Sequence, residues 1–311
     1  MAARLLSKEK ILIHHGTRIS FNGVKGSEAT VFIFGDRQQG SKGYKKEAWE
    51  EFKREFLATP NAWALGVGDY GDWLRPSMRT PVVNALAKDD SARAMLDGDI
   101  RRGHDEIIND MAFLEGKLIG LHEGHHNWTF ASGETTDQRL ASALKAPYLG
   151  WIATTRLVFT TGNDDRAKGG HSFVHMLLST HGNANGRKVP AALANLENYT
   201  QSWDADSFVM GHGCKSGNHV PFKRNKCRRI GPFGVETQIP RCMVVGGFCE
   251  GYTDGWQSSY VERAGFLPQP LGYGIFRFKR VSRMDNQIIR GVKNKHTHSL
   301  MVEPVNRVLE F

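Results

Sequence analysis

Five clusters of carboxylate and imidazole side chains recur along the chain, each just behind an apolar run. Asp36 lies in Gly35-Asp36-Arg37-Gln38, Asp69 and Asp72 in Gly68-Asp69-Tyr70-Gly71-Asp72, and His125 and His126 in Gly124-His125-His126. His181-Gly182 and Gly211-His212-Gly213-Cys214 complete the series. Carboxylate and imidazole together are the ligand types used for Zn, Mn or Fe. A carboxylate such as Asp69 can bridge two cations, and two cations a few Å apart can clamp a phosphate oxygen and activate a water. That chemistry is phosphoester hydrolysis. Each group has a duller role when taken alone, as a turn or helix N-cap for Gly-Asp and as a hydrogen-bonded structural residue for a single His. It is their recurrence in one context that points to a site.

That context is a strand followed by a loop. Residues 30–34, 62–67, 117–121, 173–179 and 207–210 are β-branched, aromatic or aliphatic runs that read as strands, and each ends in one of the clusters. Between them, 45–57 places Trp49, Phe52, Phe56 and Leu57 at helical spacing, 105–114 is a charged helical stretch, and 189–199 reads as a helix. In open α/β sheets the loops at the carboxyl ends of strands converge on one crevice, where ligands bind. After Pro221 the texture becomes Gly- and aromatic-rich, with strand-like pieces at 241–248 and 274–279 that suit a second sheet layer. The chain has 311 residues, 40% of them hydrophobic, enough for a sizeable core and too apolar for a disordered chain. One domain over 1–311 is expected, with its motif-bearing core at about 31–216 and a second-sheet and basic region at about 217–311.

The order and spacing of these motifs resemble the calcineurin-like metallophosphoesterase family, whose pattern is D-x-H, G-D-x-x-D, G-N-H-[DE], a later H, and G-H-x-H. The resemblance spans about 186 of 311 residues, roughly 31–216. The stretch from His181 through Asn183 to a helix at 191–197, and Asp206 before Gly211-His212, is similar to phage-encoded members. It implies an α/β fold, a four-layer αββα sandwich of two mixed β-sheets flanked by helices. It further implies one or two divalent ions, Mn, Zn or Fe, and a phosphodiester or phosphomonoester substrate. Asp36 would bind the first ion, Asp69 would bridge both, and His125, His181 and His212 would complete the second. His126 matches a histidine that contacts the phosphoryl group and protonates the leaving oxygen. That role needs hydrogen-bond reach and a pKa near operating pH. Asp72 would orient the bridging region without binding an ion.

Three motifs depart from the pattern. Gln38 and Cys214 stand where the family has two histidines of the first ion, and His125 replaces a ligand Asn of the second. A Cys214 thiolate could still bind Zn and Gln38 could offer a carbonyl oxygen. The departures leave open a remodelled dinuclear site, a mononuclear enzyme, or a metal-binding protein with little turnover. They also motivate an alternative, a catalytically impaired protein of the same fold that binds nucleic acid. A different motif overlaps the third cluster: His122-Glu123-Gly124-His125-His126 satisfies the H-E-x-x-H zinc-protease pattern, which requires a helix. The apolar run entering it and Gly124 inside it favour strand-then-loop.

Lys plus Arg number 41 and Asp plus Glu 32, a formal charge of +9 that suits an anionic partner. The segment 215–229 holds Lys215, Lys223, Arg224, Lys226, Arg228 and Arg229 with no acid, directly after the last ligand motif. Such a loop would attract nucleic acid in a salt-dependent way, and Phe222, Phe233, Trp256 and Tyr260 are either base-stacking or core aromatics. The charged start lacks a secretory apolar region and no stretch is long enough to span a bilayer. The expectation is a soluble, unexported, cytoplasmic protein without a membrane partner, in host cytoplasm if phage-encoded. Four cysteines without a C-x-x-C pair read as ordinary thiols in a reducing compartment. No residue pattern sets an oligomeric state.

Overall fold

The computed structural model describes residues 15–21, 28–73, 76–86, 89–161, 171–183, 188–213, 215–221, 224–229, 235–252, 268, 270–285 and 295–309. The described elements run β1 (His15–Ser20), β2 (Glu28–Phe34), α1 (Lys46–Ala58), β3 (Ala62–Gly66), α2 (Pro76–Leu86), α3 (Asp90–Met111) and β4 (Leu118–His122). They continue α4 (Thr136–Ala143), β5 (Tyr148–Gly150), β6 (Ile152–Thr161), β7 (His171–Thr180), α5 (Val189–Ser202), β8 (Ser207–Met210) and β9 (Gly217–His219). The chain then forms β10 (Arg224–Arg229), β11 (Val235–Gln238), β12 (Arg241–Val244), β13 (Leu271–Asp285) and β14 (Lys295–Leu309).

The alternation of side chains along β2 explains the layering. Successive residues of a strand face opposite sides. Phe32 and Phe34 therefore pack with Trp49, Phe52 and Phe56 of α1, while Val31 and Ile33 pack with Leu157, Leu177, Val209 and Met243 of a second sheet. The first sheet has the order β14-β13-β2-β3-β4-β5, and the second β1-β6-β7-β8-β12-β9, among the described residues. Both mix parallel and antiparallel pairs. Residues of α1, α3 and α4 share a core with the outer face of the first sheet, and α5 places Ala192 and Leu196 on the outer face of the second against Leu178, Phe208 and Val244. Helices, sheet, sheet and helix are the four layers expected from the motifs.

The strands carrying the motifs fall where the apolar runs place them. The charged stretch at 105–114 is the end of a longer helix: α3 begins at the Asp89 N-cap, whose side chain accepts from the Ala92 N–H at 3.1 Å. The region after Pro221 requires a correction, because only part of it joins the second sheet, and β10 and β11 pair in a two-stranded sheet of their own. β9 and β12 extend the sheet of β6 to β8, whereas β13, which contains 274–279, pairs antiparallel with β2 in the first sheet. Tyr273 and Ile275 of β13 face the helices while Phe276 and Phe278 face the core between the sheets. A strand buried on both faces covers the free edge that β2 would otherwise present. Among the described residues, no helix is long and apolar enough to cross a membrane.

Two expectations follow from this packing. Phe52 is fully buried, with ring centroids 5.9 Å from Phe32, 5.3 Å from Phe34, 4.8 Å from Trp49 and 5.0 Å from Tyr273. Phe52→Ala is expected to lower the unfolding free energy by about 3–5 kcal/mol in urea titrations. His104 of α3 is buried and accepts a 2.8 Å hydrogen bond at Nδ1 from Arg139 of α4. Burial and the neighbouring guanidinium pull its pKa down to about 4. The unfolded chain therefore takes up that proton first, and the stabilisation present above an unfolded pKa of about 6.5 is lost as pH falls towards 4. Urea midpoints of wild type and His104→Gln are expected to converge over that window, the wild type losing more.

Candidate metal centre

The five ligand loops leave the carboxyl ends of β2, β3, β4, β7 and β8. Asp36, Gln38, Asp69 and His212 all have left-handed backbones, with φ of 47°, 46°, 58° and 52°. Non-glycine residues adopt this region at a cost and do so most often at functional sites. Here the turns keep each loop short and close to its neighbours. The Asp36 N–H donates to the Gly68 carbonyl at 3.0 Å and the Gln38 N–H to the Asp69 carbonyl at 2.9 Å. Two glycines permit the closest approaches. A Cβ on Gly124 would stand 2.1 Å from the Asp69 nitrogen, and one on Gly68 (φ 99°) would stand 2.6 Å from Nδ1 of His181.

Ligand atoms of Asp69, His125, His181 and His212 all lie within 4.8 Å of one another. Asp69 and His181 form a buried floor, and His125 and His212 are half-buried at the rim. His181 Nδ1–H donates to the Val67 carbonyl at 2.6 Å, which turns Nε2 towards Asp69 Oδ2, 3.3 Å away. That backbone contact selects the ring orientation. At the rim, the Nδ1 atoms of His125 and His212 face each other at 2.9 Å, so one ring donates to the other.

The electrostatics suit a cation. Burial and the Asp69 charge act together on Asp36, raising its pKa to about 6. Burial would also raise Asp69, but the His181 and His126 charges and hydrogen bonds outweigh it and hold Asp69 well below the carboxylate range. Burial alone would lower His181, yet the Asp69 and Asp36 carboxylates lift it to about 9. Burial and the neighbouring imidazoles push His212 down to about 3, and His125 is lowered for the same reasons. Those two rings are thus neutral. Asp36 Oδ2 is buried without a hydrogen-bond partner, and Asp69 Oδ2 and His181 Nε2, equally buried, face only each other at 3.3 Å. Buried polar atoms are normally satisfied. An unpartnered carboxylate oxygen and a buried carboxylate–imidazole pair beside two further imidazoles fit a divalent ion.

His126 stands beside this group. Its N–H donates to Asp69 Oδ1 at 2.8 Å, and its Nδ1 donates to Asp72 Oδ1 at 2.7 Å. Burial disfavours the charged ring, but the Asp72 hydrogen bond and the surrounding carboxylates outweigh it and raise the pKa above the ordinary value. Asp72 is half-buried and holds the His126 ring, whose backbone N–H in turn bonds Asp69.

The remaining sequence expectations fare unevenly. Gln38 is half-buried on the Asp36 loop and fixes that loop to Asp69 through its backbone. Cys214 lies outside the described residues, as do Phe222, Phe233, Trp256 and Tyr260. The strand-then-loop reading of the H-E-x-x-H stretch holds, since His122 ends β4 and Glu123 to His126 are loop. Buried His122 is engaged by the Gly150 carbonyl and Ser179 Oγ at 2.8 and 2.7 Å, and Glu123 accepts from Asn127 Nδ2 at 2.9 Å. In the basic segment, Lys215 is buried and β10 carries 224–229 in a ribbon with β11. The side chains of 222–229 lie outside the described residues. Cys242 and Cys249 are free thiols.

Two residues beside the centre escaped sequence reasoning. Asp137, buried in the first turn of α4, accepts from the Gly124 N–H at 2.8 Å and holds the third loop from behind. The Thr135–Gln138 capping box marks that helix start and was the available signal. Trp151 meets His125 and His181 edge-on, with ring centroids at 4.6 and 5.3 Å. A single tryptophan beside a short strand gives no periodic signal.

No protein-family model and no curated protein matches this chain. Among solved structures, Vacuolar Protein Sorting 29 from Cryptosporidium parvum has 11% identity and a TM-score of 0.38, covering 90% of this chain and 99% of that one. Wild-type Vps29 from Entamoeba histolytica, complexed with zinc, has 10% identity and a TM-score of 0.38 over 89% and 98% of the two chains. The calcineurin-like phosphoesterase YfkN from Bacillus subtilis has 12% identity and a TM-score of 0.33 over 88% and 90%. These likenesses are distant, and the chemistry of the site rests on its own geometry.

Gly124→Ala tests that geometry, because its Cβ has no room against Asp69. The variant is expected to lose at least about tenfold in Mn or Zn affinity by calorimetry while keeping its far-ultraviolet circular dichroism.

Proposed function

We propose that this protein is a metal-dependent phosphoesterase that hydrolyses a phosphodiester or phosphomonoester. The observation that carries the reading is the convergence of Asp69, His125, His181 and His212 within 4.8 Å, with Asp69 and His181 buried and facing each other at 3.3 Å. Asp36, whose Oδ2 is buried without a hydrogen-bond partner, is not among those four but stands near enough for the Asp69 charge to raise its pKa. These residues would hold one or two divalent ions, with Gln38 and Cys214 as further donors on the Asp36 side. A bound ion would draw charge from a phosphoryl oxygen and lower the pKa of water.

The chain supplies the proton. With Nδ1 of His126 bonded to Asp72, Nε2 is the nitrogen free to give a proton to a leaving oxygen. The raised pKa keeps the ring charged nearer neutrality than an ordinary histidine. Asp72 stabilises that charge and fixes the ring, and the Asp69 contact to the His126 N–H ties the acid to the ion-holding group.

The test is hydrolysis of bis(p-nitrophenyl) phosphate by protein loaded with Mn or Zn. Turnover is expected to vanish on chelation and in Asp69→Asn. His126→Ala is expected to lose roughly 10²–10⁴ in kcat with its ion content unchanged, and Asp72→Asn to lose less. Turnover that survives chelation, or an unimpaired His126→Ala, would contradict the proposal.

A further inference from the structure

Trp151 runs along the side of the candidate centre. Its ring stands perpendicular to two imidazoles at different depths: His181 on the buried floor, at 5.3 Å and 77°, and His125 at the half-open rim, at 4.6 Å and 84°. The residue is held from its backbone. Its carbonyl accepts from Thr180 Oγ1 at 2.9 Å and from the His181 N–H at 3.2 Å, so its main chain is tied to the loop that carries a ligand. On its other side Gly150 has φ 63° and open space where a Cβ would stand, with no atom within 4 Å. The indole itself is only half-buried, unlike Trp49 and Trp128, which are fully enclosed in the core.

An aromatic wall that reaches from floor to rim is unnecessary for holding a small phosphate. The imidazoles already have backbone and side-chain contacts to orient them. A partly open indole does offer a flat, sequence-tolerant surface to a flat organic group, and aromatic side chains stack on nucleobases in this way. We propose that Trp151 is a specificity-determining residue that stacks on the base of a nucleoside phosphate, so that the ester accepted here is nucleotide-bearing. The inference rests on the phosphoesterase reading above and adds the substrate class.

The experiment is calorimetric titration of Mn-loaded protein with thymidine 5′-monophosphate and, separately, with inorganic phosphate. Wild type is expected to bind the nucleotide more tightly than phosphate. Trp151→Ala should weaken the nucleotide by about tenfold or more, on the scale of one base stack, and leave phosphate within about twofold. Trp151→Phe, which keeps an aromatic face and the local packing, should retain most of the nucleotide affinity. Equal losses for both ligands would make Trp151 a packing residue and overturn the inference, as would a wild type that binds the nucleotide no better than phosphate. Turnover without nucleotide preference would count against this inference alone. Nucleotide preference without turnover would count against the catalytic reading alone.

Discussion

The Asp69 carboxylate, buried where the carboxyl ends of two sheets meet, is the group around which the other loops are arranged. An ionised carboxylate out of water needs compensating charge and hydrogen bonds. Asp69 receives the His126 N–H from the β4 loop and faces His181 from the β7 loop. The His181 ring is tied back to Val67 beside β3. One carboxylate thus links loops of the first sheet to a loop of the second. The layered core sets the distance between the sheets, and the glycines at 68 and 124 let the loops close that distance without side chains in the way.

The cost of this arrangement is visible in the backbone. Four site-loop residues sit in left-handed conformations and Asp36 Oδ2 is buried without a hydrogen-bond partner. A rigid scaffold must absorb such strain, and the aromatic packing of Phe32, Phe34, Trp49 and Phe52 behind β2 and β3 is well placed to do so. Stability sacrificed at a site and regained in the core is the pattern expected where function and folding compete. Asp137 belongs to the same economy, since it satisfies the Gly124 N–H that the tight β4 loop would otherwise bury without a partner.

Much of this was legible in the residues. Five apolar runs ending in Asp or His place the strands and the ligand-bearing loops, because period-two burial and turn chemistry are local properties. Asp69, His125, His181 and His212 come together as the motif order implies. Legibility failed where the outcome depends on which sheet edge is free. The apolar pattern of 274–279 identifies a strand, but only the tertiary structure makes it the antiparallel neighbour of β2. It failed again at Trp151, whose position comes from the turn between β5 and β6. The overlapping H-E-x-x-H pattern illustrates the converse. The letters match, but a strand end cannot set the two histidines one helical turn apart.

The account turns on whether the buried carboxylate and imidazoles hold an ion together. A crystal structure of protein soaked in Mn, with anomalous difference maps, tests this most directly. The account predicts an anomalous peak within bonding distance of Asp69 Oδ2 and His181 Nε2, with His125 and His212 drawn apart from each other to reach it. A peak elsewhere, or no peak with the His125–His212 hydrogen bond intact at 2.9 Å, would contradict it.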